Sequence, residues 1–131
     1  MSTVDLKGKG TMELSDGVLH LRWKQGAYVG VGVAKAGLAA LSTLGQGAKL
    51  PMLVELHGVT HSASARKVFP DSSVISRMAL VGSSPRDRVL GMFRLPLAPT
   101  GFPVRYFTSS DQAMAWLLRP SVEDGTELGQ K

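Results

Sequence analysis

The sequence contains no cysteine, few aromatic residues and no long uninterrupted apolar run. Without cysteine the chain has no disulfide, no thiolate metal ligand and no cysteine nucleophile, which fits a reducing compartment. The most apolar stretch, residues 27–44, is interrupted by Lys35 and three glycines, so nothing approaches the roughly 20 apolar residues that span a bilayer. The first ten residues lack the apolar core of a signal peptide. We therefore expect a soluble, cytoplasmic protein.

Acidic residues are scarce in the middle of the chain. Residues 22–105 hold eleven Lys and Arg against three acids, and the whole chain has a formal net charge of +5. Such an excess favours anionic partners. The basic residues nevertheless occur singly or in pairs, without the aromatic signature of RNA-binding modules. We expect no nucleic-acid partner, whereas a small anionic ligand fits the charge.

The length and composition predict one folded domain. A chain of 131 residues with 44% hydrophobic and 19% charged residues has the size and balance of a single globular unit. The polar ends carry no periodic apolar pattern. We therefore predict a flexible terminus over 1–11, a domain over 12–119 and a flexible tail over 120–131.

Residues 12–23 predict a β-hairpin. Asp16-Gly17 is a two-residue turn that suits the twist of paired strands. Folding there sets Leu14 opposite Leu19 and Met12 opposite Leu21, with Glu13 opposite His20 on the other face. Both strands thus agree on their apolar side.

After the hairpin the pattern alternates between strands and helices. Strands are predicted at the start of 27–33 and over 50–56, 74–81 and 103–107. Between and after them, helices are predicted from 34 to 44, over 62–69 (a short one), from 84 with Ser84 as its cap, and from about 109 to 119. Alternation of this kind indicates right-handed crossovers. The predicted fold is α/β: a hairpin, then β-α repeats in a mixed, mostly parallel sheet flanked by helices.

Two segments resemble the small bacterial STAS/SpoIIAA-like domains. Residues 52–60 (MLVELHGVT) look like the family's second main strand, with Glu55 where an acid is usual. Residues 102–117 (FPVRYFTSSDQAMAWL) are similar to its closing strand and helix. The resemblance covers about 12–119 and implies a SpoIIAA-like fold in a bacterial domain of regulatory or unknown role.

The segment after residue 59 departs from that family. Its anti-sigma-factor antagonists carry an Asp-Ser-Ser-Gly type stretch whose serine is phosphorylated, whereas residues 60–65 here read THSASA. The acid and the glycine are absent. Ser64 is the nearest match by position, so Ser62 and Ser64 are the candidate phosphorylation sites that the resemblance implies.

Glu55, His57 and His61 could form a polar site. Residues 55 and 57 share a face of a strand, which would pair a base with an orienting carboxylate. His57 and His61 could ligate a metal, but a third ligand is missing and their spacing crosses a strand-to-loop junction. The alternative, which we favour, is that Glu55 and His57 form a hydrogen-bonded pair with no catalytic or metal-binding role. We therefore predict no metal and no cofactor.

The segment 82–86 (GSSPR) is the stronger candidate for ligand binding. A helix N-terminus with Ser83, Ser84 and Arg86 would attract an anion, although Ser84 is also explained as a plain helix cap. Ligands of open α/β sheets collect outside the carboxyl ends of the strands. The loops 57–62, 82–86 and 108–111 should all emerge there, which adds His57 and His61 to the candidates.

The leading hypothesis is a non-catalytic regulatory or protein-interaction domain, STAS-like and acting through a protein partner or a homodimer. The alternative is a sensor that binds a small anionic or lipid-like ligand at the strand-end loops. An enzyme is the third hypothesis, with Glu55 and His57 as its essential residues.

Overall fold

The protein is described here by a computed structural model, which covers residues 3–68, 74–83 and 102–119. The elements of these residues are β1 (Thr3–Asp5), β2 (Gly10–Ser15), β3 (Val18–Trp23), β4 (Tyr28–Val29), α1 (Val31–Gly45), β5 (Leu50–Glu55), β6 (Thr60–His61), a short 3-10 helix (Ala65–Lys67), β7 (Ile75–Val81), β8 (Val104–Phe107) and α2 (Ser110–Leu117). The predicted helix from residue 84 and the predicted tail 120–131 lie outside the described residues.

The predicted hairpin is confirmed, together with its register. Asp16 and Gly17 both have positive φ, at 55° and 77°, as a tight turn between twisted strands requires. Leu14 pairs with Leu19, and Glu13 pairs with His20. The aspartate-glycine turn and the two-residue alternation therefore set this part of the fold locally.

The hairpin has a third strand that the sequence analysis placed in a flexible terminus. β1 pairs antiparallel with β2, and Leu6 just after it is completely buried. A second tight turn at Lys7-Gly8, again with positive φ at both residues, joins the two strands. The ordered unit thus begins earlier than residue 12, because burial of Leu6 holds the start of the chain against the core.

In the described part of the chain, the main sheet has six strands in the order β1-β2-β3-β5-β7-β8. The first two pairings are antiparallel, and the pairs β3–β5, β5–β7 and β7–β8 are parallel. This confirms a mixed, mostly parallel α/β sheet. The carboxyl ends of β3, β5, β7 and β8 consequently lie along one edge.

The region 27–33 has the predicted strand at its start, whereas its end is helical. The strand there is only β4, which pairs with β6 in a separate two-stranded sheet. Gly30 is extended and caps α1, so the helix starts at Val31 instead of Ala34. Val33 lies in the first turn of this helix and packs partly against the core. The valines that suggested a strand therefore extend the apolar face of the helix by one turn toward its amino end.

The predicted short helix over 62–69 is reduced to the 3-10 helix. The last helix is confirmed: the Ser109 hydroxyl accepts a hydrogen bond from the Gln112 N–H at 3.3 Å, which caps α2 at its amino end. Within the described part of the chain, no helix has the length and apolarity needed to cross a membrane.

Helices cover both faces of the main sheet. α1 packs on one face through Ala40 and Leu41, and α2 packs on the other through Ala113 and Leu117. In the middle of β5, three consecutive residues (Met52, Leu53 and Val54) are buried. The unbroken apolar run thus has the predicted cause, a strand covered on both sides.

Candidate functional site

The loops that follow β5 and β7 meet at the carboxyl edge of the sheet. β5 and β7 are parallel neighbours, with Glu55 paired to Val81. His57 and Ser83 each lie two residues beyond these positions, and Nδ1 of His57 is 3.2 Å from Oγ of Ser83. The prediction that the two loops emerge at the same end is therefore confirmed for these two residues.

Glu55 connects this edge to the hairpin. Its Oε1 lies 3.9 Å from Nε2 of His57, which is an ion-pair distance when the imidazole is protonated. Its Oε2 accepts a hydrogen bond from Nε of Arg22 at 3.3 Å, since Arg22 is opposite Glu55 in the β3–β5 pairing. Glu55 thus divides its two oxygens between two basic side chains.

Arg22 extends the chain of contacts to β2, where its Nη1 lies 3.7 Å from Oε1 of Glu13. We call Glu13, Arg22, Glu55, His57 and Ser83 the polar row. It runs across β2, β3 and β5 and ends in the loop after β7. His20 lies opposite Glu13, but neither of its ring nitrogens has a hydrogen-bond partner, so it does not belong to the row.

The four ionisable side chains of the polar row are partly exposed, from 23% for Glu13 to 49% for Arg22, and Ser83 is exposed. Each ion pair therefore contributes little to stability, typically about 0.2–1 kcal/mol for an exposed pair. The effect of the row is geometric: alternating charges hold the arginine between two carboxylates and orient the imidazole. Such an arrangement offers a bound group preset donors and acceptors.

Three of the five residues of the row were predicted site residues, but they were not predicted to form one group. Glu55 and His57 were proposed as a pair, and Ser83 as an anion ligand. Glu13 and Arg22 were not recognised, although the hairpin register already placed both on the polar side of their strands. The contact of the Ser83 hydroxyl with His57 depends on the β5–β7 pairing, which sequence order alone did not give.

His61 lies apart from the polar row. It belongs to β6, and its ring packs edge-on against Trp23, with 6.3 Å between ring centroids. Burial and, to a lesser extent, the charge of Arg66 lower the pKa of His61 from 6.5 to about 4. The ring is therefore neutral at neutral pH, and its contacts belong to the apolar interior instead of the strand-end loops.

The two candidate phosphorylation sites have different surroundings. The Ser62 hydroxyl accepts a hydrogen bond from the Ala65 N–H at 3.0 Å, which ties it to the 3-10 helix. Ser64 is exposed. Ser84 and Arg86 lie outside the described residues. Among the residues that are described, no group of three or more His, Asp or Glu could hold a metal ion.

Comparison with known proteins places the chain without assigning a role. No curated protein matches it. A crystal structure of a protein with unknown function from Arthrobacter sp. FB24 is 32% identical to it, covering 83% of this chain and 99% of that one, with a TM-score of 0.32. The family model described as a domain of unknown function, DUF7793, matches residues 12–120. The chain therefore belongs to the DUF7793 family.

Proposed function

We propose that this chain is a cytoplasmic, non-catalytic regulatory domain that acts through protein contacts, as the STAS/SpoIIAA-like domains that it resembles do. The observation that carries the proposal is the polar row. Its five side chains come from three strands and two loops, and they lie together on a partly exposed face of the sheet. We infer that this face is the recognition surface.

The row is suited to a protein partner because its groups are already ordered. Arg22 is held between Glu13 and Glu55, so binding would immobilise few additional rotamers. Charged groups of this kind contribute mainly to specificity and to the rate of association.

The proposal can be tested by photo-crosslinking at one residue in living cells. Thr3 is exposed and lies opposite Glu13 in the β1–β2 pairing, on the face of the row but outside it. p-Benzoylphenylalanine at this position should form a discrete adduct, to be identified by mass spectrometry. A self-adduct, with a dimer in sedimentation, would make a second copy the partner.

The matched control is the same crosslinker at Thr43, an exposed threonine on α1. We expect no discrete adduct there. Arg22→Glu should reduce the Thr3 adduct about fivefold or more, since about 1 kcal/mol of lost binding energy has that effect. Equal adducts at both positions, or an adduct at Thr3 that Arg22→Glu leaves unchanged, would contradict the proposal, as would the absence of any adduct.

A second candidate function is a sensor for a small anionic ligand at the same edge. The contact between His57 and Ser83 favours it, because ligands of parallel sheets bind outside the carboxyl ends of the strands. The excess of basic residues over 22–105 also favours it. The sequence also left open a lipid-like ligand at these loops, which the thermal-shift assay below tests with fatty acids.

Thermal-shift measurements distinguish the sensor from the interaction domain. Inorganic phosphate, phosphorylated metabolites and fatty acids are the probes. A sensor should show a rise in Tm with one probe class that is lost in His57→Ala and in Ser83→Ala but kept in Lys49→Ala, an exposed residue before β5. No shift with any probe would remove this candidate.

A further inference from the structure

An apolar cavity of about 70 Å³ lies between the sheet and α1. Met12, Met52 and Met78, on β2, β5 and β7, line it from the sheet side, and Ala34 and Gly37 line it from α1. Leu21 and Val54, which also line the cavity, directly precede Arg22 and Glu55 of the polar row along their strands. The cavity is therefore separated from the polar row by the sheet itself.

The cavity exists because α1 presents small residues where a larger side chain would fill the space. A Cβ on Gly37 would meet nothing closer than Cδ1 of Leu6, at 3.9 Å, so the backbone does not require glycine there. An unfilled apolar space is unfavourable because its lining atoms lose contacts. A ligand that enters it restores those contacts.

His61 supplies the cavity with a hydrogen-bonding group. It lines the space together with Trp23, against which its ring is fixed. Because burial keeps the imidazole neutral near pH 7, one ring nitrogen carries a proton and the other is an acceptor. A neutral, mainly apolar lining disfavours a charged ligand, since a buried ion without a counter-charge is costly.

The dimensions limit the ligand. An engineered cavity of about 150 Å³ binds benzene, and this one has about half that volume and is partly open. We propose that the cavity binds a small uncharged molecule with a compact apolar body, part of which enters beneath α1, and one hydrogen-bonding group that faces His61. Phenols have this chemistry, and their carboxylate analogues do not.

The methionines allow a direct test by NMR of the intact protein with 13C-labelled methionine methyl groups. p-Cresol is the probe, toluene the analogue without a hydrogen-bonding group, and benzoate the charged analogue. Met12, Met52 and Met78 should shift in a saturable manner with p-cresol. Met114 on α2, which packs with the opposite core, should not shift. Toluene should bind about fivefold more weakly than p-cresol, and benzoate should not bind.

Two pairs of variants make the test specific. Ala34→Leu fills the cavity and should abolish the shifts, whereas Ala39→Leu on the exposed side of α1 should leave them unchanged. If Ala34→Leu does not fold, Gly37→Ala narrows the same space without a clash and should weaken p-cresol binding. His61→Phe should lower p-cresol affinity about fivefold and leave toluene affinity unchanged.

Three results would overturn the inference. These are equal shifts at Met114, shifts that persist in the cavity-filling variant, or benzoate binding as well as p-cresol. The absence of any saturable shift at millimolar p-cresol would also exclude the site. None of these results bears on the polar row, because the row and the cavity lie on opposite faces of the sheet.

Discussion

On the face that α1 covers, apolar side chains continue from β2 to β7, whereas on the opposite face they give way to charged side chains in the hairpin. β3 shows the change within one strand. Leu19 and Leu21 on the α1 face are buried, and His20 and Arg22 alternate with them on the other. The same strand thus belongs to a closed core on one side and to a partly exposed polar surface on the other.

The difference follows from the lengths and positions of the two helices. α1 has fifteen residues and packs on β2, β3 and the 3-10 helix, whereas α2 has eight and packs on β5, β7 and β8. Among the described residues, neither helix packs on the hairpin strands of the opposite face, and a sheet face in contact with water carries polar residues. The polar row occupies this part of the sheet, and the apolar cavity occupies the covered part.

The largest effect is expected from Arg77, whose buried charge belongs to the covered part of the α2 face. Its side chain is only 2% exposed; it donates a hydrogen bond to the Trp116 carbonyl, and its guanidinium lies 5.4 Å from the Trp116 ring centroid. Arg77→Ala should lower the free energy of unfolding by about 3 kcal/mol, because the Trp116 carbonyl loses its donor and the space of the buried side chain is left empty. Urea denaturation measures it.

Arg105 is the matched control. It lies over Phe107 at the same 5.4 Å, but it is exposed. Arg105→Ala should cost at most about 1 kcal/mol, the strength of an exposed cation–π contact. If Arg77→Ala and Arg105→Ala lower the free energy of unfolding equally, burial of the arginine does not decide how much its contacts contribute to stability.

The second prediction concerns the tight packing of the α1 face. A Cβ on Gly10 would lie 2.6 Å from the Arg22 carbonyl oxygen and 2.8 Å from Cε3 of Trp23. Gly10→Ala should therefore destabilise the protein by about 2 kcal/mol. Gly37→Ala, on the same face but with open space, should instead stabilise it by about 0.5–1 kcal/mol through helix propensity. If the two substitutions changed the free energy of unfolding equally, Gly10 would not be in close contact and Gly37 would not border open space.

The third prediction is a pH dependence caused by His61. Its pKa is 6.5 in the unfolded chain and about 4 in the folded protein, so the unfolded state binds more protons between these values. Its contribution to stability is complete above pH 6.5 and is lost as the pH falls toward 4. Between pH 7.5 and 5.5 the loss should be about 1 kcal/mol. The pH profile of His61→Phe should lack this component; an identical profile would show that His61 is not responsible.

The smallest effect is expected in the polar row. Arg22→Ala removes two partly exposed ion pairs and should change the free energy of unfolding by about 0.5 kcal/mol, the low end of the range for two such pairs. The same denaturation experiment measures it. A loss as large as that of Arg77→Ala would mean that the row is a structural core, and it would weaken its assignment as a recognition surface.

Part of the candidate site could be predicted from sequence. The Ser109 cap, the apolar run of β5 and the loops at one edge follow from local signals and from the rule for parallel strands. The predicted start of α1 at Ala34 was wrong, because the valines at 31 and 33 alternate as they would in a strand and yet belong to the helix. His61 was placed with the strand-end loops because the sequence did not show that β6 leaves the main sheet to pair with β4.

What the sequence determined by itself is short in range, namely the turn at Asp16-Gly17 and the hairpin register, together with the class of the fold, a mixed, mostly parallel α/β sheet. Only the tertiary structure decided that side chains from residue 13 to residue 83 would form one polar row and that small residues of α1 would leave a cavity beside His61. The physical reason is that turns, caps and alternation depend on neighbouring residues. Contacts between distant strands depend instead on the packing of the segments that connect them. That packing is not encoded in any local sequence pattern.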